Sequence, residues 1–109
     1  MNGDVENYLE KYPDEIKKLF HGLRETVLKS TSQEVVEKLW AKLPSYYSGE
    51  KFVRLIPFKD HINVEAAAVA SHRDELSGYK ITPKGMLQIF VGKEVPADVL
   101  IRIFKETLT

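Results

Sequence analysis

The stretch Lys51–Glu65, KFVRLIPFKDHINVE, decides the fold. It reads as two short strands that turn at Lys59-Asp60. Phe52, Ile56 and Phe58 are spaced for one face of the first strand and Val53 and Leu55 for the other, and Pro57 interrupts the run. Ile62 and Val64 then alternate with His61, Asn63 and Glu65, the period-two pattern of a strand with one buried face. Two half-apolar strands in sequence need a cover, and the flanking segments supply it.

Upstream, residues 4–12 place Val5, Tyr8, Leu9 and Tyr12 on one side of a short helix that Pro13 ends. Pro13 suits the first turn of a second helix over 13–30. Asp14 and Glu15 complement its N-terminus, and Ile16, Leu19, Phe20, Leu23, Val27 and Leu28 recur at helical spacing. Gly22 lies inside this helix at a cost of about 1 kcal/mol relative to alanine, which predicts a close crossing neighbour. Residues 31–43, where Thr31 with Glu34 resembles a capping box, fit two patterns. Val36, Leu39, Trp40 and Leu43 make a helical face, while Leu39, Ala41 and Leu43 alternate as in a strand ending at Pro44. Ser48-Gly49-Glu50 is a turn signal.

Downstream, AAAVASHRDEL (66–76) is helix-prone and Ser77-Gly78 stops it. KITPKG (80–85) reads as a loop, and MLQIFV (86–91), bounded by Gly85 and Gly92, as a strand. Pro96 opens a closing helix with Leu100, Ile103, Phe104 and Leu108 on one face. Helices at both ends and strands between them predict a single α+β domain over 1–109, an antiparallel sheet of four or more strands packed against the N-terminal and C-terminal helices. Its mostly buried residues are expected to include Phe20, Leu23, Trp40, Phe58, Ile62, Leu87, Ile103 and Phe104.

With 109 residues the chain is long enough to bury roughly two thirds of its unfolded surface. Sixteen basic and sixteen acidic residues cancel, so the electrostatic drive behind phosphate-backbone binding is missing and no nucleic-acid partner is expected. The charge is uneven, acidic over residues 1–37 and basic over 38–109. No apolar run approaches the roughly 20 residues of a membrane span, and MNGDVENYLEKYP lacks the layout of a secretory signal. The absence of cysteine excludes thiol catalysis and thiolate metal sites and suits the cytoplasm.

Catalytic signatures are missing: there is no GxSxG, SxxK or HExxH, and the adjacent carboxylates Asp14-Glu15 and Asp74-Glu75 diverge on a helix. A non-enzymatic role is therefore expected. Among His21, His61 and His72, His61 stands out because it opens a strand beside Lys59 and Asp60. With Lys80, Lys84 and Gln88 it forms the candidate ligand-binding set Lys59, His61, Lys80, Lys84 and Gln88, whose cationic groups would meet a small anionic ligand or an acidic partner surface if the two strand ends adjoin.

VENYLEKYPDEIKKLFHGLRETV, KLWAKLPSYYSGEK, FKDHINV, ELSGYKITPKGMLQ and VPADVLIRIF occur in the order found in the YdhG-like family of small bacterial domains, which the chain resembles over nearly its whole length. The most specific pieces are Phe58-Lys59-x-His61-Ile62, and Glu75-Leu76-x-x-Tyr79-Lys80 followed by Lys84-Gly85-x-x-Gln88. The resemblance implies a strand at 36–43. One branch of that family is described as a frataxin-like iron chaperone, which implies transient iron carried to a protein acceptor by a monomer or weak homodimer with no cofactor required. Iron would use the acid-rich end, with Glu10, Asp14 and Glu15 as candidate metal ligands. The chain departs from the family pattern at Asn63 and Glu65-Ala66, at Gln88-Ile89-Phe90, and at Lys42, where glycine is common.

Overall fold

A computed structural model describes residues 1–109. The elements are α1 (Gly3–Leu9), α2 (Asp14–Lys29), β1 (Val36–Trp40), β2 (Leu43–Ser48), β3 (Lys51–Pro57), β4 (His61–Ala66), a 3₁₀ segment (Ala67–Leu76), β5 (Lys80–Ile81), β6 (Leu87–Phe90) and α3 (Ala97–Leu108). The strands form one antiparallel sheet in the order β1-β2-β3-β4-β6-β5, and α2 and α3 pack side by side across β3 and β4. The fold is α+β. No helix is long and apolar enough to cross a membrane.

All the helical cover lies on one face of the sheet. That face carries Tyr46 of β2, Val53 and Leu55 of β3, Ile62 and Val64 of β4, and Leu87 and Ile89 of β6, each at most 1% exposed. Ile16, Phe20, Leu23 and Val27 of α2 and Leu100, Ile103, Phe104 and Leu108 of α3 meet them. The four-three-four spacing on α2 and the alternation on β3 and β4 are the patterns that made these elements readable. Full burial of a side chain such as Phe104 contributes about 3 kcal/mol.

The opposite face is uncovered. Here Trp40 is 50% and Phe58 42% exposed, against the expectation that both are buried. The alternation separates the hairpin's two faces as the spacing predicts, but the helices sit over Val53 and Leu55, so Phe52, Ile56 and Phe58 fall on the open side.

Three further expectations need correction. Val36–Leu43 is not one strand ending at Pro44: β1 stops at Trp40, Ala41 (φ +50°) and Lys42 (φ +66°) form a two-residue loop, and β2 runs through Pro44. Positive φ at both central residues is the type I′ arrangement, which Asn-Gly signals and Ala-Lys does not. Pro44 is tolerated because Ser45 is the first β2 residue paired with β3. Gly22 has no crossing neighbour; a Cβ there would meet nothing within 4 Å. The 80–85 segment is not wholly loop, since Lys80 pairs with Gln88 and Ile81 with Leu87.

Glu37 of β1 ties the first layer together. Its carboxylate accepts from Arg24 Nε (2.6 Å), the Asn2 backbone N–H (2.7 Å) and the Tyr46 hydroxyl (2.7 Å), joining α1, α2 and β2. Burial by itself raises the Glu37 carboxyl, but these hydrogen bonds outweigh it and hold it below the usual carboxylate range.

Candidate functional site

The register of β4 against β6 decides which candidate residues meet. His61 pairs with Phe90 at one end and Val64 with Leu87 at the other, with Asn63 opposite Gln88 between them. Directly opposed residues share a face, so His61, Asn63, Gln88, Phe90 and Lys80 all lie on the open side. His61 stacks between two rings, Phe58 at 4.6 Å and 6° and Phe90 at 4.8 Å and 27°. Lys80 Nζ lies 5.7 Å from the Phe90 ring centre, within cation–π range.

A hydrogen-bond chain orients this cluster. His61 Nδ1 is 2.8 Å from Asp60 Oδ1, and the Asp60 carboxyl is held below its usual range by that bond. His61 Nε2 lies 3.5 Å from Gln88 Nε2, which donates to Asn63 Oδ1 at 3.2 Å. Gln88 thereby turns its amide nitrogen toward His61 and Asn63. Its carbonyl oxygen has no protein partner and is left as an acceptor.

Beside this cluster a cleft of about 670 Å³ is lined by Tyr79, Lys80, Gln88, Phe90 and Lys93 and also by the carboxylates of Asp60 and Glu94. The Tyr79 hydroxyl donates to the Glu94 backbone carbonyl at 2.9 Å, fastening the segment before β5 to the turn after β6. Neither Lys80 nor Lys93 forms an ion pair. Two unpaired ammonium groups, an aromatic face and one acceptor suit a small anion with a planar or apolar part.

Of the candidate set, the structure therefore brings His61, Lys80 and Gln88 together, with Lys59 exposed in the adjoining turn. Lys84 does not belong. It lies in the turn closed by Gly85 N–H to Thr82 O (2.8 Å), beyond the Ile81–Leu87 pair and so roughly 15 Å along the sheet from Lys59. Lys84 borders a different groove with Phe52 and Glu65. Lys93, Phe90 and Tyr79 were missed. Lys93 reads as an ordinary turn residue between Gly92 and Glu94, and only the β4–β6 pairing reveals its neighbours.

The candidate metal ligands Glu10, Asp14 and Glu15 do not converge. Glu10 is 3.9 Å from Lys17 Nζ, Asp14 and Glu15 stand in the first turn of α2, and no three His, Asp or Glu side chains come close enough to hold a metal ion.

Two polar groupings outside the cleft also escaped the sequence. Arg54 is 6% exposed although no helix covers it: its guanidinium lies 4.1 Å from the Trp40 ring centre and 3.9 Å from that of Phe52. It donates to Ser45 Oγ (3.1 Å), the Tyr47 hydroxyl (3.0 Å) and Glu65 Oε1 (3.3 Å), all partners within its own sheet. His72 bridges Glu75 (2.6 Å) and Glu106 (2.8 Å), linking the 3₁₀ segment to α3.

Comparison with protein-family models, with curated proteins and with solved structures gives no match for this chain.

Proposed function

We propose that this protein is a non-enzymatic binding module for a small anion, held by Lys80 and Lys93 against the Phe90 ring. The observation that carries the reading is the pair of unpaired ammonium groups on one cleft of about 670 Å³, beside an aromatic stack whose orientation is set by the Asp60–His61–Gln88 hydrogen bonds. His61 acts here as a positioning residue. It holds Phe90 and turns the Gln88 carbonyl outward, so a ligand offering an N–H or O–H to that oxygen gains a directional bond as well as charge neutralisation.

An amide-resolved NMR titration with inorganic phosphate and with acetate tests this. Shifts are expected at Asp60, Tyr79, Lys80 and Gln88–Glu94, and Lys80→Ala or Lys93→Ala should each weaken binding about tenfold, the effect of losing one charge-assisted hydrogen bond, with the melting temperature nearly unchanged. Shifts confined to the Lys84 turn, or none, would reject the site. Anaerobic Fe(II) in the same experiment tests the iron-carrying role implied by the family resemblance: shifts at Glu10, Asp14 and Glu15 would favour it.

A further inference from the structure

We infer that the ligand is an amphipathic monocarboxylate whose apolar chain lies along α2 at Gly22. The inference rests on the anion-binding reading above and adds the class of molecule. It starts from a glycine without an ordinary reason. Inside a helix of sixteen residues glycine is among the least favourable choices, and what usually justifies it is a left-handed backbone or a close crossing. Gly22 has neither: it is not among the glycines of positive φ, and a Cβ there would meet nothing within 4 Å.

What it faces is a groove of about 500 Å³ between α2 and the segment after β6. Leu19, Gly22 and Thr26 are successive members of one helical stripe, and Leu19, Leu23, Val91 and Val95 supply apolar walls. Leu19, Val91 and Val95 are only half-buried, so the protein leaves apolar surface in contact with water where a side chain on residue 22 would cover it.

The groove continues the anion cleft. Both are bordered by Phe90, Val91 and Lys93, so Lys93 stands where the two meet. Lys80 and Lys93 stand at the cleft with Asp60 and Glu94, and the strip beyond Lys93 carries the aliphatic side chains of Leu19, Leu23, Val91 and Val95, with Glu15 and Lys18 adding one charge of each sign to its lining. A molecule matching this order has a single anionic head and an apolar chain. A groove of this volume fits a chain, whereas docking a second protein would require about 800 Å² from each partner.

The test compares acetate with octanoate on the full chain, by NMR titration, for the parent protein and for Gly22→Ala, Gly22→Leu and Lys93→Ala. Octanoate should bind at least about tenfold more tightly than acetate, and it alone should shift Leu19, Gly22 and Val95. Gly22→Leu, which favours the helix but fills the groove, should abolish the chain-length preference while acetate binding persists. Gly22→Ala, leaving most of the space, should retain the preference and raise the melting temperature. Lys93→Ala should weaken both ligands. If octanoate and acetate bind equally at the lysines, the groove inference is overturned and the anion site stands; if neither shifts the Lys80 and Lys93 region, the anion reading itself has failed. Octanoate shifting Trp40 and Phe52 instead would place the apolar chain on the open sheet face and also overturn the groove assignment.

Discussion

The two faces of the sheet solve the same problem with different neighbours. On the covered face, Val53 and Leu55 are buried by helices from distant parts of the chain, and its one prominent charge pair, Arg24–Glu37, bridges elements of different layers. On the open face, Arg54 reaches nearly the same burial through residues of its own sheet alone, with Trp40 and Phe52 as lids and Ser45, Tyr47 and Glu65 as partners. One face is closed by tertiary packing and the other by cross-strand contacts. The covered face holds the molecule together, while the open one exposes rings and cations at the end near Phe90, and no buried side-chain polar atom on either lacks a partner.

Truncating one aromatic on each face separates these roles most sharply. Phe104→Ala removes a ring that is 0% exposed, leaves a cavity under two helices and should cost about 3–5 kcal/mol in denaturant unfolding. Trp40→Ala removes a half-exposed ring whose main contact is the Arg54 guanidinium, and should cost about 1 kcal/mol. Equal losses would mean that the open face contributes as much to the core as the covered one.

Much of the covered side was legible because a buried stripe imposes a period on the residues that make it. Ile16 to Val27, Ile62 to Val64 and Leu100 to Leu108 each repeat at the spacing of their element. The side on which the helices would settle was not legible: Phe52, Ile56 and Phe58 are as apolar as Val53, Leu55 and Pro57, and hydropathy does not distinguish a face covered by helices from one closed by its own rings. Trp40 and Phe58 were misplaced for this reason. The candidate site failed in part for another. His61, Lys80 and Gln88 meet through an antiparallel pairing formed across the 3₁₀ segment, and the same register that joins them carries Lys84 to the far end. Sequence proximity between residues 80 and 84 concealed that separation.

The β1–β2 hairpin tests the remaining failure, which was turn chemistry. Ala41 and Lys42 both occupy the left-handed region, at a cost of about 1–2 kcal/mol per residue for an L-amino acid with a Cβ. Lys42→Gly should therefore stabilise the protein by about 1 kcal/mol, the gain being limited by the greater freedom of glycine in the unfolded chain. The substitution lies away from both the core and the Phe90 cleft, so anion binding should not change. A loss of stability would show that the Lys42 side chain contributes more than its backbone conformation costs.

The smallest expected effect lies at the rim of the covered side, where His72 joins the 3₁₀ segment to α3. Its imidazole meets Glu75 through Nδ1 and Glu106 through Nε2, and Glu75 in turn accepts from Arg102 at 2.6 Å. The hydrogen bonds to Glu75 and then Glu106 raise the His72 pKa, while those from His72 and Arg102 hold the Glu75 carboxyl below its usual range. The raised histidine stabilises the fold fully below its unfolded value of 6.5, and that contribution is lost as pH rises through the higher folded value; the depressed carboxyl stabilises it fully above 4.5 and loses the effect as pH falls through the lower folded value. Both contributions are complete only between those limits. Replacing His72 by glutamine, which keeps a polar side chain without the titrating charge, should lower Tm by a few degrees between pH 4.5 and 6.5 and by progressively less as the pH rises above 6.5. Glu75 and Glu106 are 40% and 50% exposed at the side chain, so added salt should shrink the difference as well. A deficit independent of pH and salt would assign His72 to packing alone, and would place this contact with the apolar residues of the covered face instead of with the charge pairs.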